Sequence, residues 1–212
     1  LLCYQTNFNA PDYDLGPLPG QQGWINPVPG SWLDPTVEPA AIFSGQEVHA
    51  AASAAQIAGC ARFLDGFGAG GTQWLRGSFA SRQPLPYLSS QITDVGGAFA
   101  SQLFGFGAIL FYPDKIIVQD GANIVSTGVT FAPDEPHIVK AKIDFTTKTW
   151  DAYVDDMSTP KKVNLDLQDA NINDIRGFIF FGVNGYGTKV MDDFFVGDFD
   201  PDLAIFRRRR EV

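Results

Sequence analysis

Glutamate is nearly missing from this chain. Glu38, Glu47, Glu135 and Glu211 are its only examples among 212 residues. Helical proteins use Glu and Lys freely on exposed faces, so the shortage turns the reading away from helices. It also weighs against glycoside hydrolysis, which needs two carboxylates placed across the scissile bond. Histidine is as scarce, at His49 and His137 alone. Neither has zinc-type spacing, and no Gly-x-Ser-x-Gly nucleophile elbow occurs. Cys3 and Cys60 are the only cysteines; two thiols cannot hold a structural zinc, and their spacing fits no metal motif. They are either a disulfide in an exported chain or two buried free thiols. No apolar run reaches the roughly 20 residues that a bilayer-crossing helix requires. Positive charge is short too: 15 Lys and Arg against 24 Asp and Glu give a formal charge of −9. That excludes a phosphate-backbone partner, which needs clustered cations. The one basic cluster, Arg207–Arg210, reads as a solvated tail or an assembly contact.

What is present favours strands. Hydrophobic residues make up 45% of the chain, enough for a sizeable core, with 18 Phe and 22 Gly. Residues 140–155 show the clearest pattern. Ala141, Ile143 and Phe145 alternate with polar residues, and beyond Thr147-Lys148 so do Trp150, Ala152 and Val154. Alternation on both sides of a turn predicts a half-buried antiparallel hairpin. Further strands are expected at residues 1–9, 58–64, 72–82, 88–95, 98–106, 108–112, 115–119, 124–127, 162–167, 177–183 and 190–196. Residues 177–183 (GFIFFGV) are apolar on both faces, which marks a central strand. Residues 41–52 read as β, with a helical turn over 53–58. Six prolines and four glycines between residues 10 and 35 predict a long surface loop without regular structure. Trp24 and Trp32 are expected to anchor it to the body, or to form a ligand platform. Residues 66–71 formally match Gly-x-Gly-x-x-Gly, but a strand-like segment follows where a dinucleotide site needs a helix. Short strands at regular spacing, with no linker and no repeat, predict one all-β domain over 1–200 and a tail over 201–212.

Several segments together resemble a known family. Phe8–Trp24 (FNAPDYDLGPLPGQQGW), Phe43–His49 (FSGQEVH), the His137–Asp155 hairpin and Gly177–Val196, ending in MDDFFV, resemble bacterial LamG-like, concanavalin A-like jelly-roll domains of secreted and surface proteins. The resemblance implies a two-sheet antiparallel jelly-roll sandwich with its terminal strands adjacent, and a structural role for His137. It implies a secreted, periplasmic or cell-surface setting, and no single activity. Glycosidases of that superfamily carry Glu-x-Asp-x-x-Glu on one strand, which this chain lacks. Asp151, Asp155 and Asp156 are the nearest substitute and are expected on the outer face of the hairpin. Leu1-Leu2-Cys3 resembles the end of a lipoprotein signal, from which Leu2 departs.

Two kinds of binding residue follow. Calcium takes six to eight oxygen ligands; Asp192, Asp193, Asp198 and Asp200, with Asp202 and, if the termini pair, Asn7, Asn9 and Asp12, read either as ligands of a structural Ca²⁺ or as solvated charges, with Asp192 or Asp193 bonding loop amides. Carbohydrate recognition needs an exposed aromatic platform beside amides and acids; Tyr186, Asn184, Trp74, Tyr153 and Tyr112 are its candidates. The sequence is thus expected to encode a non-catalytic binding or assembly module. Its partners would be other subunits, touched through loop 10–35 and Arg207–Arg210, or surface glycans. A lectin-like domain is the alternative, and a polysaccharide hydrolase or lyase a more distant one.

Overall fold

The computed structural model describes residues 2–53, 56–82, 97–101, 107–112, 115–182 and 188–203, with 97–101 and 112 as backbone only. The strands expected over 88–95 and the end of 98–106 lie outside these residues, as does part of the turn expected over 53–58. The described strands form two antiparallel sheets packed face to face, a jelly-roll sandwich.

Sheet A begins at the edge with β14 (Lys162–Asp166), β13 (Thr149–Val154) and β12 (His137–Asp144). It continues through β7 (Thr72–Arg82), β16 (Thr188–Gly197), β5 (Gln46–Ala51), β4 (Thr36–Pro39) and β2 (Gly16–Pro17), with β1 (Cys3–Thr6) also on β16. Sheet B runs β11 (Asn123–Thr130), β10 (Lys115–Asp120), β9 (Ala108–Tyr112), β8 (Gly97–Ser101), β15 (Gly177–Gly182), β6 (Ala58–Phe63) and β3 (Trp24–Ile25). The β1–β16 pairing brings the terminal strands together as expected. β15, apolar on both faces, lies between β8 and β6.

Period-two alternation decides which residues meet between the sheets. Leu75 and Phe79 of β7, Val139, Ala141 and Ile143 of β12, and Trp150, Ala152 and Val154 of β13 face inward from sheet A. Ile109, Phe111, Ile116, Val118, Phe178 and Phe180 face them from sheet B. Phe178 and Phe194 join the sheets, their ring centroids 3.9 Å apart. Lys189 is an inward exception: it donates to Ser81 Oγ across the β7–β16 ladder. Burial pushes its ammonium down to about 7.

The expected 137–155 hairpin forms, with Asp144 opposite Thr149 and Val139 opposite Val154. Its connection is longer than a two-residue turn: residues 145–148 bridge the strands, because Phe145 is drawn into the core. Asp144 accepts the Thr146 and Thr147 N–H groups, which hold its carboxyl below the usual range. Asp155 follows β13 at the exposed end of the hairpin. It accepts from Ile138 N–H at 3.1 Å and lies 2.9 Å from His137 Nδ1, while His137 packs beside Phe111 and Phe131. The structural role expected for His137 matches this position.

Loop 10–35 departs from its expectation. It contributes β2 and β3, and Tyr13, Leu18 and Trp24 are core residues. Two-residue strands at sheet edges ask little of the backbone, so Pro17 and the neighbouring glycines do not prevent them. Trp24 is the expected anchor, fully buried between Phe8 and Phe178. Trp32 lies half-buried against Gly59 and Phe181 on the outward side of sheet B. The disulfide alternative is corrected. Cys3 is exposed on sheet A, Cys60 is buried in sheet B, and both are free. Within β1 it is Tyr4, not Cys3, that packs on the core, so alternation turns the Cys3 thiol away from Cys60.

Candidate functional site

The site begins with a defect in β16. Met191 and Phe194 both belong to the core although they are three positions apart, a spacing that a regular strand cannot accommodate. A β-bulge resolves it: Asp192 pairs with Ser78 but Phe195 with Arg76, and Asp193 takes φ +48°. Aspartate tolerates that left-handed conformation better than most side chains. At the same point the free side of β16 changes partner, from β5 along Thr188–Met191 to β1 along Phe194–Gly197.

β1 then runs off the sheet and turns. Asn9 O accepts from Asp12 N and Tyr13 N, and Phe8 is buried with φ +56°. This turn carries Tyr13 back beneath Tyr4. The two hydroxyls are 3.2 Å apart, and Trp24 Nε1 donates to Tyr13 OH at 3.2 Å. Burial, with Tyr13 as neighbour, raises the Tyr4 phenol far above its ordinary range. The two glutamines of GQQGW divide the remaining work. Gln21 ties the loop through Asp14 and Pro17, and Gln22 Nε2 donates to Asp12 O at 3.0 Å.

These elements enclose a cavity of about 480 Å³ lined by Tyr4, Gln5, Thr6, Asn7, Asp12, Tyr13, Gln22, Arg62 and Asp193. Arg62 comes from sheet B, on β6 opposite Trp24 and Phe178. Its guanidinium carbon lies 4.9 Å from the Tyr4 ring centroid. Its chain runs so close to Gly23 that a Cβ there would overlap Nη1. The cavity therefore combines aromatic surface, three amides, a hydroxyl, two carboxylates and a guanidinium. That donor and acceptor set can satisfy a ligand rich in hydroxyl groups.

The expected site residues fare unevenly. Asn7, Asp12 and Asp193 do meet, at this cavity. The other calcium candidates are dispersed. Asn9 Oδ1 accepts from Gln46 N, and Asp198 Oδ1 accepts from Leu2 N. Asp200 and Asp202 hold Lys140, with Nζ 3.3 Å from Asp200 Oδ1 and 2.7 Å from Asp202 Oδ2. Asp192 is buried on the side of sheet A away from sheet B. The next position of the β5 ladder there is Glu47. Burial, then Asp193 and Glu47, push the Asp192 carboxyl up to about 7. Among the described residues no group of three or more acids, histidines or cysteines is arranged to hold a metal. Asn9, Asp198, Asp200 and Asp202 are thus engaged by other groups.

Trp74 and Tyr153 form no open platform. Their rings flank Lys140 Nζ at 5.1 and 4.6 Å, and burial raises the Tyr153 phenol, with Asp151 and Asp200 adding to it. Tyr112 is described as backbone only, while Tyr186, Asn184 and Arg207–Arg210 lie outside the described residues. Sequence reasoning missed Tyr4, Tyr13, Gln22 and Arg62. One signal was present: Arg62 is the lone charge in the apolar run Ala58–Leu64.

Glu47 and His49 form a separate buried cluster. Glu47 accepts the N–H groups of Ala41, Ile42 and Phe43 and lies 2.8 Å from His49 Nε2. Burial alone would raise its carboxyl, yet those partners hold it below the usual range. Its oxygens are spent on shaping the 41–45 loop, a structural task.

No family model matches the sequence, and no curated protein matches it in sequence. Solved structures do match in fold. Arcelin-5, a lectin-like defense protein from Phaseolus vulgaris, is 9% identical with TM-score 0.56, over 94% of this chain and 99% of its own. Lectin II from Ulex europaeus is 11% identical with TM-score 0.58, over 92% and 97%. A sialidase is 9% identical with TM-score 0.58 over 85% of this chain, which spans only 17% of that protein. At such identities the likeness defines a lectin-like, concanavalin A-type sandwich and nothing narrower.

Proposed function

We propose that this chain is a non-catalytic binding module that recognises a carbohydrate through the cavity between β1, β16 and loop 10–35. The observation that carries the reading is the cavity lining: Tyr4 and Tyr13 surface beside Gln5, Asn7, Gln22, Asp12 and Asp193. Sugar hydroxyls ask for that mixture of planar amides, acids and aromatic faces. The sandwich is also the architecture of the two plant lectins above, although they are too distant to carry function across. A LamG-like ancestry, a secreted or cell-surface setting and the lack of catalysis belong to the same reading. A glycan array, followed by titration calorimetry on any hit, tests it. Binding that is lost in N7A and Q22A supports the proposal. Silence across neutral and acidic glycans removes it.

A second observation favours assembly. Ile25 and Phe63 are exposed on the outward side of sheet B, in line with Ala61, Ile179 and the Trp32–Phe181 contact. An apolar sheet face of this kind suits contact with another protein subunit. Sedimentation of the full chain, compared with F63S, tests that role independently of the cavity.

A further inference from the structure

Arg62 is out of place for a structural residue. Ala58 and Cys60, four and two positions earlier in β6, are core residues, so alternation turns Arg62 toward the space between the sheets. It stops at the mouth of that space, where the cavity opens. Its Nε is buried without a hydrogen-bond partner. Arg76, Arg82 and Arg176 each pair with an aspartate, and among the described residues Arg62 does not. The Tyr4 ring gives a cation–π contact, but not a counter-charge or a hydrogen-bond acceptor. A guanidinium presents five N–H donors in a planar fork that matches a carboxylate. Here that fork lies against the Tyr4 ring and close to Gly23. Gly23 has φ +77°, a conformation that suits glycine, and a Cβ there would displace the Arg62 guanidinium.

We propose that the cavity takes an acidic sugar, with the sugar's single carboxylate on the Arg62 fork and its hydroxyls on Asn7, Gln22 and Asp12. This rests on the carbohydrate reading above and narrows it. One guanidinium beside two rim carboxylates tolerates one negative charge and disfavours more. The planar fork takes a carboxylate in a two-bond geometry, and a uronate carries that group on the sugar ring itself. The chain's net charge of −9 opposes an anion at long range, but that repulsion is screened beyond about 8 Å at physiological salt. The fork acts at contact, in a partly desolvated mouth, where charged hydrogen bonds count most.

The test uses the full chain and four probes of equal length: an oligogalacturonate, its methyl ester, a neutral galactan fragment and a sulfated galactan fragment. Calorimetry should show the acid bound about tenfold or more tightly than its ester. R62Q should bring the acid down to the level of the ester, and R62K should recover only part of the loss, because a lysine lacks the fork. D193N removes a like charge at the rim and keeps a side chain suited to φ +48°. It should tighten the acid about two- to fivefold without tightening the ester. Thermal melts of each variant separate loss of the fork from loss of the fold, and D193N stays informative if R62Q does not fold. Equal binding of acid and ester overturns the acidic-sugar inference and leaves the carbohydrate reading standing. Preference for the sulfated fragment overturns the carboxylate assignment. An unchanged acid affinity in R62Q, or in D193N, also overturns it. Failure of all four probes, together with a silent array, removes the carbohydrate reading itself.

Discussion

Lys140 Nζ lies 2.7 Å from Asp202 Oδ2, across 62 positions of sequence, with the lysine side chain only 1% exposed. The segment after β16 folds back over sheet A and delivers Asp200 and Asp202 to a cation already flanked by Trp74 and Tyr153. Met157 O completes the enclosure at 2.8 Å. Removing one partner of a buried pair leaves a charge without compensation, whereas replacing the charge by an apolar group of similar shape costs less. D202A is therefore expected to destabilise by about 2 kcal/mol, or roughly 4–8 °C in melting temperature. K140M should cost less than about 1 kcal/mol, because a thioether suits the two rings and the freed aspartates can reach water. Paired thermal melts decide it; a K140M that melts below D202A contradicts this account of the pair.

That cluster also marks the limit of what the sequence reveals. Alternation along 72–82 and 137–155 is visible in the letters because those strands are half-buried, and it correctly predicts which side chains turn outward. It carries no information on which outward residues meet. Trp74 and Tyr153 read as a sugar platform and Asp200 as a calcium ligand, since each is polar or amphipathic on an outer face. The β12–β13 and β12–β7 ladders set Tyr153 and Trp74 beside Lys140, and only the return of the chain after Gly197 adds Asp200 to them. The cavity was half legible in the same way. Asn7, Asp12 and Asp193 follow once the terminal strands are paired, whereas Arg62 arrives from the opposite sheet, and its local signal as a lone charge in an apolar run does not say which residues it meets. Met191-Asp192-Asp193-Phe194 does hint at its bulge, because two core residues three apart break the strand period.

Asp192 and Lys189 give stability an unusual pH profile. An acid kept neutral when folded binds its proton more tightly in the folded state than in the unfolded one. Stability therefore falls as pH rises from the ordinary aspartate value of 3.8 to about 7, and is level above that. For Lys189 the ammonium is the form that folding opposes, so stability rises as pH climbs from about 7 toward 10.5. The two limbs meet in a shallow minimum near neutrality. D192N mimics the protonated acid beside Glu47 and Asp193. It should stabilise by about 2 kcal/mol at pH 7, do nothing at pH 3.5, and leave the alkaline limb intact. Denaturant titrations at several pH values check all three; a gain of equal size at pH 3.5 counts against the Asp192 assignment.

The thiols offer a quick check on strand assignment. Burial raises the Cys60 thiol well above its ordinary range, with Asp34 adding to it, and Cys60 has no exposed surface, whereas Cys3 is exposed. Reactivity follows thiolate fraction and access. A chromogenic disulfide reagent should therefore titrate one thiol per native chain, eliminated by C3S, and two after unfolding. Two fast thiols in the native chain, or none, would mean that β1 and β6 are placed wrongly.

The last expectation separates the two aromatic groups by function. Tyr4 lines the cavity and backs the Arg62 guanidinium, while Trp74 and Tyr153 serve Lys140 on another part of sheet A. W74A removes one face of the lysine enclosure and should lower the melting temperature by several degrees, consistent with a loss of about 1–2 kcal/mol. Its saccharide affinity should be unchanged, since nothing it touches reaches the cavity. Y4L keeps apolar bulk against Phe178 but deletes the hydroxyl bonded to Tyr13 and the ring beneath Arg62. Saccharide affinity should then fall about tenfold, more than the accompanying change in stability explains. Measured together by calorimetry and thermal melts, the pair places the ligand. If W74A loses saccharide binding and Y4L keeps it, recognition belongs on the outer face of sheet A, where the sequence first suggested it, and the cavity is only a seam between strands.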